Sequence, residues 1–184
     1  MGVKTDEYLS AIFADSFKRE VEADESVWRS LPFFAAVLGL ALAILPSIYR
    51  ALVVVDRLGW KVAAYSLFAM ALLDFGLAGY WFWQIVRLRQ YRYPPYDDEL
   101  LAYAQQLQAF YEDGDLTSVE RDEAVREDVR QPVLRELAGA TANNRRNNAA
   151  KANARSRVLL FVVVGFLLAF LCEATILSEQ LFPL

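Results

Sequence analysis

Long apolar stretches interrupt an otherwise polar chain. Pro32 to Val55 is broken only by Arg50, Val62 to Val86 only by Asp74, and Val158 to Leu177 only by Glu173. A helix rises about 1.5 Å per residue, so about 20 residues cross a hydrocarbon core about 30 Å thick. Each stretch is long enough. None alternates apolar and polar positions, and only helices and closed barrels satisfy their backbone in lipid. The pattern therefore predicts an all-α integral membrane protein with three transmembrane helices.

The polar segments carry helical periodicity too. Leu9, Phe13, Phe17 and Val21 recur every four residues, with Ile12 and Trp28 near the same face, which predicts an amphipathic helix over 6–30. After the second span, Pro94 and Pro95 break the chain. Asp97 or Asp98 then caps a short helix whose apolar face is Leu100, Leu101, Ala104, Leu107 and Tyr111, and Gly114 stops it. The tetrad Thr117 to Glu120 fits a capping box. The helix it opens carries Val125, Val129, Val133 and Leu137, with a bend expected at Pro132.

From Val133 to Leu177 the only stop signal is Gly139. A continuous helix there is a stalk of roughly 68 Å. Two heptad seams compete along it. One is Leu137, Ala140, Asn144, Asn147, Lys151, Ala154 and Val158; the other is Ala138, Ala142, Arg145, Ala149, Ala152 and Ser156. The expected organisation is an acidic amphipathic helix (1–30), a transmembrane hairpin (31–87, spans 32–55 and 62–86), a helical cytoplasmic region (88–157), and a third span with a short tail (158–184).

Charge adds orientation. Twelve of the 19 Lys and Arg lie between Arg87 and Arg157, and none follows the third span. The positive-inside rule places the N-terminus and 88–157 in the cytoplasm and the C-terminus outside, in an inner membrane. Tyr80, Trp81 and Trp83 before Arg87, and Trp28 with Arg29, fit interfacial belts. No cleavable signal peptide is expected, since the first 30 residues lack an apolar core. Asp6 occupies the position where a myristoylation motif wants Ser or Thr.

The candidate chemistry is sparse. The chain has no His and one Cys, Cys172, which excludes disulfide frameworks, His-based zinc sites and Ser–His or Cys–His relays. No cofactor or metal is expected, and no enzyme activity. The stretch from Asp113 lacks the glycine an EF-hand loop requires. Asp74 stands at the middle of the second span, where a charge costs at least about 2.5 kcal/mol. It either hydrogen-bonds between helices, lines an aqueous path or meets a partner's base. Glu173 follows Gly165 and Ala169 at steps of four on a small-residue face, and the two acids together resemble a cation path. Ala35, Gly39 and Ala43 give the first span a small-residue face of its own, and Pro46 is a candidate hinge. The run Asn144, Arg145, Arg146, Asn147, Lys151 and Arg155 is topogenic, or an anion or nucleotide site, or a dock for the acidic N-terminal helix. Sequence-specific DNA binding is not expected.

This layout of amphipathic helix, tight pair of spans and helical cytoplasmic part resembles small multi-span bacterial membrane effectors of antiphage defence. That resemblance implies spans that assemble into pores under nucleotide control. The expectation is a homo-oligomeric gated pore or ion channel in the lipid bilayer, with a nucleotide, an oligonucleotide or a cytoplasmic protein as candidate trigger. The alternative is a non-conducting membrane-anchored adaptor whose cytoplasmic helices recruit a partner.

Overall fold

A computed structural model of the chain describes residues 3–87, 90–112, 114 and 116–181, and the side chains from residue 8 onward. Asp6 and Glu7 of the acidic face, Asp113 and Asp115 of the rejected calcium loop, and the tail 182–184 lie outside the described side chains. The elements are α1 (Val3–Val53), α2 (Leu58–Val86), α3 (Asp97–Glu112) and α4 (Ser118–Leu181). No strand occurs among the described residues. Three of the helices, α1, α2 and α4, are long and apolar enough to cross a membrane.

The amphipathic helix and the first apolar stretch are one helix, not two. Pro32 and Pro46 both lie inside α1. A proline removes one donor, and the remaining ladder carries the helix past it. Likewise Pro132 lies within α4, so the segment opened at Ser118 runs on through the third apolar stretch.

The chain forms two compact units, one from Met1–Glu25 with Arg89–Asn148, the other from Ser26–Leu88 with Ala149–Leu184. In the second, α1, α2 and α4 pack side by side. Ala41, Leu45, Ile48 and Leu52 meet Ala64, Ala71 and Phe75 of α2, and Ala169, Cys172 and Ile176 of α4. Val27, Phe34, Ala78, Ile85, Ala154, Val158 and Val162 continue the core. Small residues allow the approach. A Cβ at Gly165 would lie 2.9 Å from the Phe75 ring, which stacks edge-on against Phe166 with centroids 5.2 Å apart. In contrast, the small face of the first span is not used within the chain: Ala35, Gly39 and Ala43 are exposed. Larger side chains on the opposite face of α1 supply more buried area, and they take the core.

In the first unit, α3 starts at Asp97 without a cap from either aspartate. Glu99 instead reaches back to the Tyr96 N–H at 3.4 Å. Gly114 follows the end of α3 as expected, its N–H on the Tyr111 carbonyl at 3.4 Å. The capping box is present: Glu120 Oε2 accepts the Thr117 N–H at 3.0 Å, and the Glu120 N–H reaches Thr117 Oγ1 at 3.4 Å. The Thr117 hydroxyl also donates to Glu120 Oε2 at 2.7 Å, and this bond first, then the one from the Thr117 N–H, holds the Glu120 carboxyl below its ordinary range.

The heptad seams of α4 separate along most of their length, with Leu137, Ala138 and Asn147 half-buried. Ala140, Asn144, Lys151, Ala154 and Val158 are buried, while Ala142, Arg145, Ala149, Ala152 and Ser156 are exposed. The first seam faces the protein.

Candidate functional site

Asp74 is half-buried, between the buried Ala71, Phe75 and Ala78 on one side and exposed Leu73 on the other. Its flank of α2 is the one that faces α4. Trp81, seven residues on and so on the same side of the helix, receives the Arg157 guanidinium 4.1 Å from its ring centroid. The opposite flank of α2, with Leu72, Gly76 and Gly79, faces α1 instead and lines a groove there. Asp74 makes no hydrogen bond or ion pair with any described residue. No interhelical hydrogen bond from Asp74 is formed among the described residues.

Glu173 occupies a different side of the bundle. It lines a groove of about 350 Å³ between α1 and α4, with Ile44, Ser47, Ile48, Phe166 and Phe170. Gly165 and Ala169 of its small-residue face are buried, but Glu173 itself is only half-buried at the edge. It too has no partner among the described side chains. Phe166 is level with Phe75, and Glu173 lies seven residues beyond it, about 10 Å further along α4. The two acids thus differ in depth, and Asp74 does not line the Glu173 groove. Between them the bundle axis is closed by Ala41, Leu45, Phe75, Ala169 and Cys172.

The basic run does not converge into one pocket. Asn144 is fully buried and clasps Arg92: its Oδ1 accepts the Arg92 N–H at 3.0 Å and its Nδ2 donates to the Arg92 carbonyl at 2.9 Å. Asn143 and Asn147 both donate to the Gln90 carbonyl, at 2.9 and 3.0 Å. Asn148 donates to the Glu20 carbonyl at 2.7 Å and to its carboxylate at 2.9 Å. Arg145 Nε donates to the other Glu20 oxygen at 3.0 Å. The Tyr91 hydroxyl lies 2.8 Å from Asp24 Oδ1 and 2.7 Å from Asn148 Oδ1 and shares its one proton between them. Asn143, Asn144 and Asn147 therefore bind the irregular backbone of Gln90 and Arg92, while Asn148 and Arg145 dock the acidic part of α1. Arg146 and Arg155 are exposed. Lys151 is buried, its ammonium 5.4 Å from the Trp28 ring centroid. Pro46 lies on the exposed face of α1.

Glu179 holds the start of another helix, a role that its place in the sequence pattern does not announce. Its Oε1 accepts the N–H of Asp56 at 3.1 Å and of Arg57 at 2.8 Å. Those donors precede α2, whose N-cap residue Arg57 offers no side-chain cap. A carboxylate from α4 thus serves the free amides at another helix's start. The sequence signal was faint: a lone acid just past the third apolar stretch, and a short link without Ser, Thr or Asn.

Among known proteins, no family model, no curated sequence and no solved structure matches the chain.

Proposed function

We propose that this chain is a subunit of a homo-oligomeric, gated cation pore in an inner membrane, with α1, α2 and α4 crossing the bilayer. One observation carries the reading. Two carboxylates, Asp74 and Glu173, stand half-buried in the apolar segments without a partner among the described residues, while apolar side chains close the axis of the single bundle. Acids in such places are costly and belong against water, a base or another protein. An ion path in this reading runs between copies, with Asp74 near its middle and Glu173 toward the outer mouth. The exposed small residues Ala35, Gly39 and Ala43 let neighbouring copies approach, and Pro46 provides the hinge.

Control belongs to the clasp of α1 on α4. Glu20 is held by Arg145 and Asn148, and Asp24 by Tyr91. A phosphate-bearing ligand such as a nucleotide, or a cytoplasmic protein, competes for Arg145 and Arg146 and frees the acidic helix. The resemblance to antiphage effectors fits a pore that opens on such a signal and collapses ion gradients. No catalytic step is assigned to any residue.

A second reading, the membrane-anchored adaptor, draws on α3. None of its residues is buried, and Tyr103 and Phe110 are exposed on one side of it with Tyr96 just before. Such an aromatic surface suits a partner protein. Purified protein in a planar bilayer separates the two. Stepwise conductance supports the pore; silence with a stoichiometric co-purifying partner supports the adaptor.

A further inference from the structure

We propose that the groove between α1 and α4 is a binding site for an amphiphilic ammonium, meaning an apolar body that carries one cationic nitrogen. The groove holds about 350 Å³, within the range of small-molecule clefts. Ile44 and Ile48 form one wall, and Phe166 and Phe170 the other. Only two polar side chains line it, the Ser47 hydroxyl and the Glu173 carboxylate.

The chemistry of that lining selects the ligand. Glu179, six residues further along the same helix, is satisfied by two backbone N–H groups. Glu173 has no such donors among the described residues, which leaves its carboxylate open to a ligand's donor. A carboxylate repels anions. A hydrated metal ion would find one carboxylate and one hydroxyl, far short of the six to eight oxygens that calcium takes. An ammonium on an apolar body fits every part. It donates to Glu173 in a charge-assisted hydrogen bond, and Ser47 accepts a second bond. The Phe166 and Phe170 rings favour a cation near their faces, and the apolar body lies along Ile44 and Ile48. An aminophospholipid headgroup and a free amphiphilic amine both have this chemistry. The site does not depend on the pore or on oligomerisation.

The test is native mass spectrometry of the full chain released from detergent, with dodecylammonium as probe and dodecanol as its neutral match. The expected result is one dodecylammonium per chain, bound about tenfold or more tighter than dodecanol, the order that a charged hydrogen bond supplies. Glu173→Gln, which keeps the shape, should erase that preference. Ser47→Trp, at an exposed position on the rim, should block the groove with Glu173 intact. If phosphatidylethanolamine displaces the probe and phosphatidylcholine does not, the natural occupant is a lipid amine; if neither displaces it, the occupant is a free amine. Equal binding of amine and alcohol, or undiminished amine binding by Glu173→Gln, would overturn the proposal.

Discussion

Gly165 is where the packing of α2 on α4 has least tolerance. A methyl group there would lie 2.9 Å from the Phe75 ring. Gly165→Ala is expected to destabilise the bundle by about 1 to 3 kcal/mol, the usual cost of overpacking. Phe75→Leu should relieve part of it, and thermal unfolding of the two single variants and the double variant measures the coupling. Glu179 makes a second residue-scale prediction. Glu179→Ala leaves the amides of Asp56 and Arg57 without their acceptor, and should cost about 0.5 to 2 kcal/mol, as loss of a cap does. Hydrogen exchange should localise that loss to the first turn of α2. Glu120 makes a third. Its carboxyl is held below its ordinary range by Thr117, so the box stabilises α4 above the unfolded glutamate range and fails as pH falls through the depressed value. Protection of the amides following Thr117, measured against their intrinsic exchange rates, should fall on acidification, and Thr117→Ala, which keeps only the backbone N–H donor, should weaken that pH dependence. The box was legible in the sequence because both partners sit three positions apart in one segment. Glu179 was not, because its partners lie more than a hundred residues away and are backbone groups.

At the scale of elements, the apolar stretches predicted the three long helices because their signal is sheer length. Pro32 terminates nothing in α1, because Val27 and Phe34 on either side of it pack into the core and hold the helix. The two seams of α4 were indistinguishable by pattern, because alanine occupies both. Their burial is decided by what the asparagines bind. Asn144 reads the backbone of Arg92, a segment with no periodicity to announce it. Asn144→Ala should cost about 1 to 3 kcal/mol, since the Arg92 N–H and carbonyl lose their partner. Ala149→Lys on the exposed rival seam should be close to neutral, and denaturant unfolding distinguishes them. The docking of α1 on α4 is weaker by nature. Arg145 is 66% exposed, so its bond to Glu20 contributes about 0 to 1 kcal/mol, and the Asn148 and Tyr91 contacts carry much of the rest. Arg145→Glu should therefore raise pore opening modestly, and removal of residues 1–25 should raise it much more, both read as open probability.

For the whole molecule, the sequence showed which segments are apolar and where acids interrupt them. It could not show that Asp74 and Glu173 fall on different flanks, because each helix's rotation is set by packing at Gly165, Ala71 and Ala78 rather than by its own pattern. That geometry moves the proposed ion path from inside one bundle to the space between copies. Asp74 then becomes the residue on which the account depends. The most direct measurement is the reversal potential of single channels under a salt gradient, for wild type and for Asp74→Asn, with assembly checked by mass. The account predicts a cation-selective wild type and a variant of unchanged subunit number whose reversal potential shifts toward zero. Assembled, inserted protein that never conducts, or an Asp74→Asn channel with wild-type selectivity, would contradict it.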